Sequence, residues 1–341
     1  MLVKKTLSLR SIYEFTGYHL WWLAGWMALV TSIYYFTGWK LMTFPWLPLS
    51  LIGTAVAFYV GFKNSHAYDR LWGAIQIWSS ITKNSRQLAT MVRNYRSDEA
   101  PADDATAIRR QMIFRHIAYL YQLREQLLEP MQWEHVSIER SWITGRCNHR
   151  RRAKINNLYK TELEEVANNN YLSAEERISL QAYRNKAAQI LDIQAQVIQR
   201  LYESKIINMI QQIEIQGAIN RINDDQANVE RIKQIPFPRK YASFSFVFVC
   251  IFVFLLPFGI IGEFSKIGGA GIWLSIPVGA IVGWIYVAME MIGDYSENPF
   301  EGLFNDAPML SMCRAIEIDM LQTIGEKNIP RPIQPKGQVL L

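Results

Sequence analysis

Four stretches of this sequence contain no Asp, Glu, Lys or Arg: residues 17–39, 41–62, 241–262 and 267–289. A helix needs about 20 predominantly apolar residues to cross the hydrocarbon core of a bilayer, and each stretch meets that length. Two precede a long polar section and two follow it. The expected fold class is all-α, with four transmembrane helices and a large helical insert between the second and the third.

Aromatic placement agrees. The chain holds 11 Trp and 16 Tyr, and Trp21, Trp22, Trp26, Tyr34, Tyr35, Trp39 and Trp46 bracket the first crossing and the turn into the second. Trp and Tyr favour the lipid–water boundary, because their rings are apolar and their tips polar. The first stretch follows Lys4, Lys5 and Arg10, the order found in a signal peptide. It is too long and too rich in Trp and Tyr for one, and no Ala-x-Ala site follows. It is read as a retained span.

The net charge of +6 does not point to nucleic acid, since basic and acidic residues are mixed across 63–240 apart from the run Arg150-Arg151-Arg152. The positive-inside rule explains the balance better. Basic residues lie before the first span, in the middle section and in the tail, whereas the two short turns hold only Lys40 in one and Glu263 with Lys266 in the other. The reading is a multi-pass protein of the inner (plasma) membrane with both termini cytoplasmic. Its expected segments are 1–16, spans one and two within 17–62, a cytoplasmic helical domain at 63–238, spans three and four within 239–290, and a cytoplasmic tail at 291–341.

Enzyme chemistry is not legible. The five His are isolated, no His-Glu-x-x-His pattern occurs, and no Ser sits in a nucleophile elbow. The glycines at 268, 269 and 271 fall in a short turn rather than between a strand and a helix. Cys147, Cys250 and Cys313 form no Cys-x-x-Cys pair, and Cys147 with His149 lacks a second pair at zinc spacing. Cys250 is expected to pack as a small apolar residue in the third span. No cofactor and no metal are expected.

Proline marks the second stretch. A continuous helix does not run through Pro45 and Pro48, but proline suits a first helical turn. A break near Pro45–Pro48 and a fresh helix over 48–70 follow. Non-helical backbone at membrane depth is tolerated only where protein buries it or it lines a cavity. On this helix Leu47, Leu51, Ala55, Phe58 and Phe62 recur at spacings of three and four and share one face. That face meets lipid and neighbouring helices, or it forms an apolar constriction; periodicity does not choose. In the insert, helices are expected over 67–92, 106–128, 159–167 and 173–219, with a surface connection at 97–104. Ser173 with Glu176 fits a capping box. The glutamines at 189–216 suit a solvated or inter-subunit face. Ile235-Pro236-Phe237-Pro238 ends the helical run, because the residue before proline is pushed out of the helical region. Gly279-x-x-x-Gly283 in the fourth span permits close helix approach.

The residues after the second span read Gly61-Phe62-Lys63-Asn64-Ser65-His66-Ala67-Tyr68-Asp69-Arg70-Leu71-Trp72. After the fourth come Glu297-Asn298-Pro299-Phe300, Asn305-Asp306-x-Pro308 and Cys313-Arg314-x-Ile316-Glu317-x-Asp319. With Pro236-Phe237-Pro238-x-x-Tyr241 and Leu256-Pro257-Phe258-Gly259, this set resembles the bacterial branch of the bestrophin family, from about residue 11 to 326. The resemblance implies a homopentameric channel in the lipid bilayer, conducting monovalent ions passively, chloride by default and cations in some members. It implies a hydrophobic neck at Leu47, Leu51 and Ala55, with Phe58 a further pore-lining candidate, and a cytosolic aperture at Phe237. Animal members carry an acidic calcium clasp after Asn-Pro-Phe. Here Leu303 and Phe304 interrupt it, so Glu297, Asn298, Glu301, Asn305 and Asp306 are expected not to hold calcium tightly. A secondary transporter and a membrane-anchored interaction scaffold are the alternatives. The absence of ionisable residues inside the four stretches weighs against the transporter.

Overall fold

A computed structural model describes residues 1–4, 6, 8–95, 104–137 and 144–341, without the side chains of 40, 104, 105, 144–147 and 269. Among the described residues there is no sheet, only two isolated bridges that tie Val339 to Leu2 and to Lys336. The chain is helical, as its patterning predicts, and divides into two compact units. One comprises 4–70 and 236–297; the other comprises 1–3, 71–235 and 298–341. The C-terminal tail thus folds with the polar middle section.

In the first unit a short helical entry, Leu9–Ile12, passes through a π-turn over Tyr13–Gly17 into helix α1, Tyr18–Thr37. Gly38 ends α1 in the left-handed conformation (φ 66°), its N–H bonded to the Tyr34 carbonyl, as helix C-termini commonly do. Helix α2, Trp46–Asn94, follows. The break expected at Pro45–Pro48 falls just ahead of it: Phe44 N–H bonds to the Phe258 carbonyl at 3.0 Å, and Pro48 lies in the first turn of α2. The helix does not stop at 70. It runs unbroken for 49 residues, about 73 Å, more than twice the ~30 Å hydrocarbon thickness. No proline interrupts it beyond Pro48, and Gly73 weakens an interior helical position by only about 1 kcal/mol. Its first part is apolar; the remainder carries the chain into the second unit.

The second unit contains α3, Asp104–Leu128; α4, Thr144–Leu158; α5, Lys160–Asn168; α6, Ala174–Leu180; α7, Lys186–Glu203; and α8, Met209–Gln234. The single helix expected over 173–219 is therefore three. The capping box at Ser173 and Glu176 is present, but two asparagines start new helices. Asn185 Oδ1 accepts the Ala188 N–H at 3.0 Å, and Asn208 forms a second capping box with Gln211. Side-chain acceptors at these points satisfy amides that a helix start leaves free. Between α7 and α8 the chain reverses at Lys205, which adopts φ 57°. Of the expected connection at 97–104, residues 97–103 lie outside the described residues, as does the side chain of Cys147, while 104 already belongs to α3. One core fills this unit, with Trp78, Tyr119, Tyr159 and Phe300 among its enclosed rings.

Ile235 is extended (φ −98°, ψ 114°), as the following proline requires. The chain then returns to the first unit through α9, Arg239–Phe264, and α10, Ser275–Asp294. The last helix, α11, Met309–Thr323, belongs to the second unit. In the first unit the small residues of α10 seat the side chains of α1: a Cβ on Gly279 would lie 2.0 Å from Met27 Cε, and one on Gly283 3.1 Å from Leu23 Cδ2. Cys250 does not pack inward as expected. It is exposed on α9, where the core-facing positions are Val249, Phe252 and Val253.

Among the described residues, three helical segments are both long and apolar enough to span a membrane: Trp46–Asn94, Arg239–Ile267 and Ala270–Asp294. Helix α1 has 20 residues and no charge, but its Trp and Tyr content keeps it out of that group.

Candidate functional site

Helix α2 has two contrasting faces over its apolar part. Leu49, Val56 and Val60 are buried in the core of the first unit. On the other side Leu47 is 72% exposed, Leu51 64% and Phe58 69%, with Ala55 exposed between them. These positions, spaced by three and four, form one outward seam without a charged group. Phe58 and Phe62 close its lower end as an edge-to-face pair with centroids 4.6 Å apart. The seam is what the 3.6-residue period predicts.

Phe237 is placed differently from an exposed girdle. It is 5% exposed, whereas Ile235, on the other side of Pro236, is 55% exposed. The outward apolar side chain of the Ile-Pro-Phe-Pro connection is that of Ile235.

A buried polar cluster lies immediately past the seam, and sequence reasoning missed it. The Lys63 ammonium pairs with Glu290 and lies 3.8 Å from Asp294. The Ser245 hydroxyl donates to the other oxygen of Glu290. Asn64 Nδ2 donates to the Met289 carbonyl at 2.9 Å, and Gly293 leaves the room that the Asn64 side chain occupies. Helices α2, α9 and α10 are thereby pinned in one register. A signal for this cluster existed: Lys63 and Glu290 are the first charged residues after the second and fourth uncharged stretches.

The residues of the loop after α10 have partners within the chain. Glu297 accepts from Arg239 at 3.3 Å. Glu301 Oε1 accepts from the backbone N–H of His135, contacts its Nδ1 at 3.0 Å, and accepts from Asn298 Nδ2 at 2.8 Å. Asp306 accepts the Leu303 N–H at 2.9 Å. Burial, with Glu301 nearby, raises its carboxyl to about 7. Among the described residues no three His, Cys, Asp or Glu side chains are grouped to hold a metal ion. The Cys313–Asp319 motif is structural. Enclosed Arg314 bonds Glu165 at 2.9 Å and pairs with Glu317 at 3.2 Å; Glu317 also accepts from the phenols of Tyr121 and Tyr171. Asp319 holds Arg86.

Uncharged helices of spanning length, joined by a buried ion pair at the end of the apolar region, define an integral membrane protein of the helical type. The chain belongs to the bestrophin family: the family model described as bacterial/fungal bestrophin protein matches residues 17–322. The voltage-dependent anion channel-forming protein YneE of Escherichia coli K12 is 24% identical over 288 residues, covering 84% of this chain and 80% of that protein. The voltage-dependent anion channel-forming protein alr2987 of a Nostoc species is 25% identical over 266 residues, 77% and 73% of the two chains. The crystal structure of a bacterial bestrophin homolog from Klebsiella pneumoniae shares the fold, with TM-score 0.72 and 20% identity over 91% of this chain and 99% of that one.

Proposed function

We propose that this protein is a homopentameric anion channel of the inner membrane, with four crossings per chain, cytoplasmic termini and passive conduction of monovalent ions. The observation that carries the reading is the outward seam of α2. An apolar face left uncovered on a helix whose other face is packed needs a lipid or protein surround. Five copies around an axis would turn Leu47, Leu51 and Ala55, with Phe58 below, into rings. Rings of this kind gate by dewetting or by weakly solvating a passing ion. The anion channel-forming proteins among the relatives support the choice of ion, and the scarcity of charge along the seam suits passive flow rather than coupled transport. The cytosolic aperture is assigned to the 235–238 connection; the burial of Phe237 makes exposed Ile235 the side chain better placed to meet an ion there.

The test is recording from the purified protein in planar bilayers under asymmetric chloride. Stepwise unitary currents that reverse near the chloride potential are expected. Leu51→Ala is expected to raise conductance or shift the reversal potential. Ile235→Ala is expected to change permeability ratios more than Phe237→Ala, which should chiefly lower stability by about 3–5 kcal/mol. Slow coupled flux would establish a transporter and absent flux a scaffold. Currents untouched by Leu51→Ala would remove the neck assignment.

A further inference from the structure

We propose that Arg124 and Arg152 form a binding site for a small oxyanion such as inorganic phosphate, in the second unit and independent of any pore. Arg124 stands four residues before Leu128, on the same face of the last turns of α3. Arg152, on α4, donates Nη2 to the Leu128 carbonyl at 2.8 Å. The two guanidinium groups lie close enough for the charge of Arg152 to act on Arg124, near the last turns of α3. Gly302 walls the site with backbone alone: a Cβ there would lie 3.3 Å from both Arg152 Nε and Leu128 Cδ2.

Arg124 is 7% exposed. Among the described residues its enclosed Nε has no hydrogen-bond partner, and none of the ion pairs found there, such as Arg115 with Glu176, involves it. Of the groups that act on it, only the exposed Glu125 carries a negative charge. Cys313 is enclosed, and burial pushes its thiol up to about 12, so it is neutral at pH 7. The Tyr121 phenol is held protonated by burial and donates to Glu317. Glu125, its neighbour on α3, is exposed and forms no ion pair with it. Arg152 adds a like charge. The nearby carboxylate of Glu301 is turned to His135 and Asn298. Burial of an unpaired charge is strongly unfavourable, and desolvation lowers the Arg124 pKa accordingly. A bound anion would supply the missing charge. The planar fork of a guanidinium matches two oxygens of a tetrahedral oxyanion better than it matches a spherical halide.

The test is thermal unfolding of the full-length protein in detergent at constant ionic strength, titrating phosphate against chloride. A saturable rise in Tm with phosphate is expected, as for any ligand that binds only the folded state. Arg124→Gln should abolish the rise, and Arg152→Gln should weaken apparent phosphate affinity at least tenfold. If Arg124→Gln does not fold, the half-buried Arg152→Gln decides, with phosphate binding by calorimetry as its second readout. No rise, an equal rise with chloride, or a rise retained in the arginine variants would overturn the proposal.

Discussion

Lys63 and Glu290 show how two residues set the register of three helices. Each is buried, so each depends on the other for compensation. Removing one partner of such a pair leaves an uncompensated charge and costs about 3–5 kcal/mol, whereas replacing both is far milder. Lys63→Met is therefore expected to lower the thermal stability of the detergent-solubilised protein sharply. Lys63→Met combined with Glu290→Gln should recover much of the loss; a double variant as unstable as the single one would count against the pairing. Asp306 offers a pH test of the second unit. Its carboxyl titrates from an ordinary value of 3.8 to about 7 on folding, so between those values the folded state holds a proton that the unfolded state has released. Its contribution is full below about pH 4 and is lost as pH rises through 7. The neutral Asp306→Asn, which keeps an acceptor for the Leu303 N–H, should gain on the wild type with rising pH, by on the order of 2–4 kcal/mol at pH 8 relative to pH 4. Unfolding curves at the two pH values check it, and a constant difference would show that Asp306 is not held protonated.

At the scale of elements, α1 and α10 meet through glycine rather than through large side chains. Membrane helices gain little from apolar burial against one another, since lipid is equally apolar, and so depend on close packing. Gly279→Leu would place a branched side chain where Met27 lies, and overpacking of this kind costs about 1–3 kcal/mol. Gly25→Ala, on α1 with no atom within 4 Å of its new methyl, is the matched control. Thermal unfolding of both should show a clear loss for Gly279→Leu and almost none for Gly25→Ala. Element boundaries were only partly legible. The helical character of 67–92 was readable from its periodicity, but its fusion with the preceding span was not. Continuity depends on the absence of a competing cap, a weaker signal than a proline. The split of 173–219 was missed for a related reason: Asn185 and Asn208 cap helices only because the chain turns there, and an asparagine mid-helix looks the same in one dimension.

For the whole molecule, the proposed ring predicts an assembly of five 39.6-kDa chains. Native mass spectrometry from detergent should give the pentamer as the main species; a monomer or dimer would end the pore reading. The uncharged stretches, their aromatic edges and the placement of basic residues are properties of composition and order, so the membrane class, the all-α fold and the family were readable from the chain alone. A helical period also determined that Leu47, Leu51, Ala55 and Phe58 share a face. Only tertiary packing decided which face that was. Periodicity defines a stripe but not its partner, and α2 turned Leu49, Val56 and Val60 inward. Packing likewise buried Phe237, exposed Ile235, joined Lys63 to Glu290 across 227 positions and buried Arg124 without an ion pair among the described residues. Such facts depend on which residues meet in space, and separations of that length leave no local pattern to read.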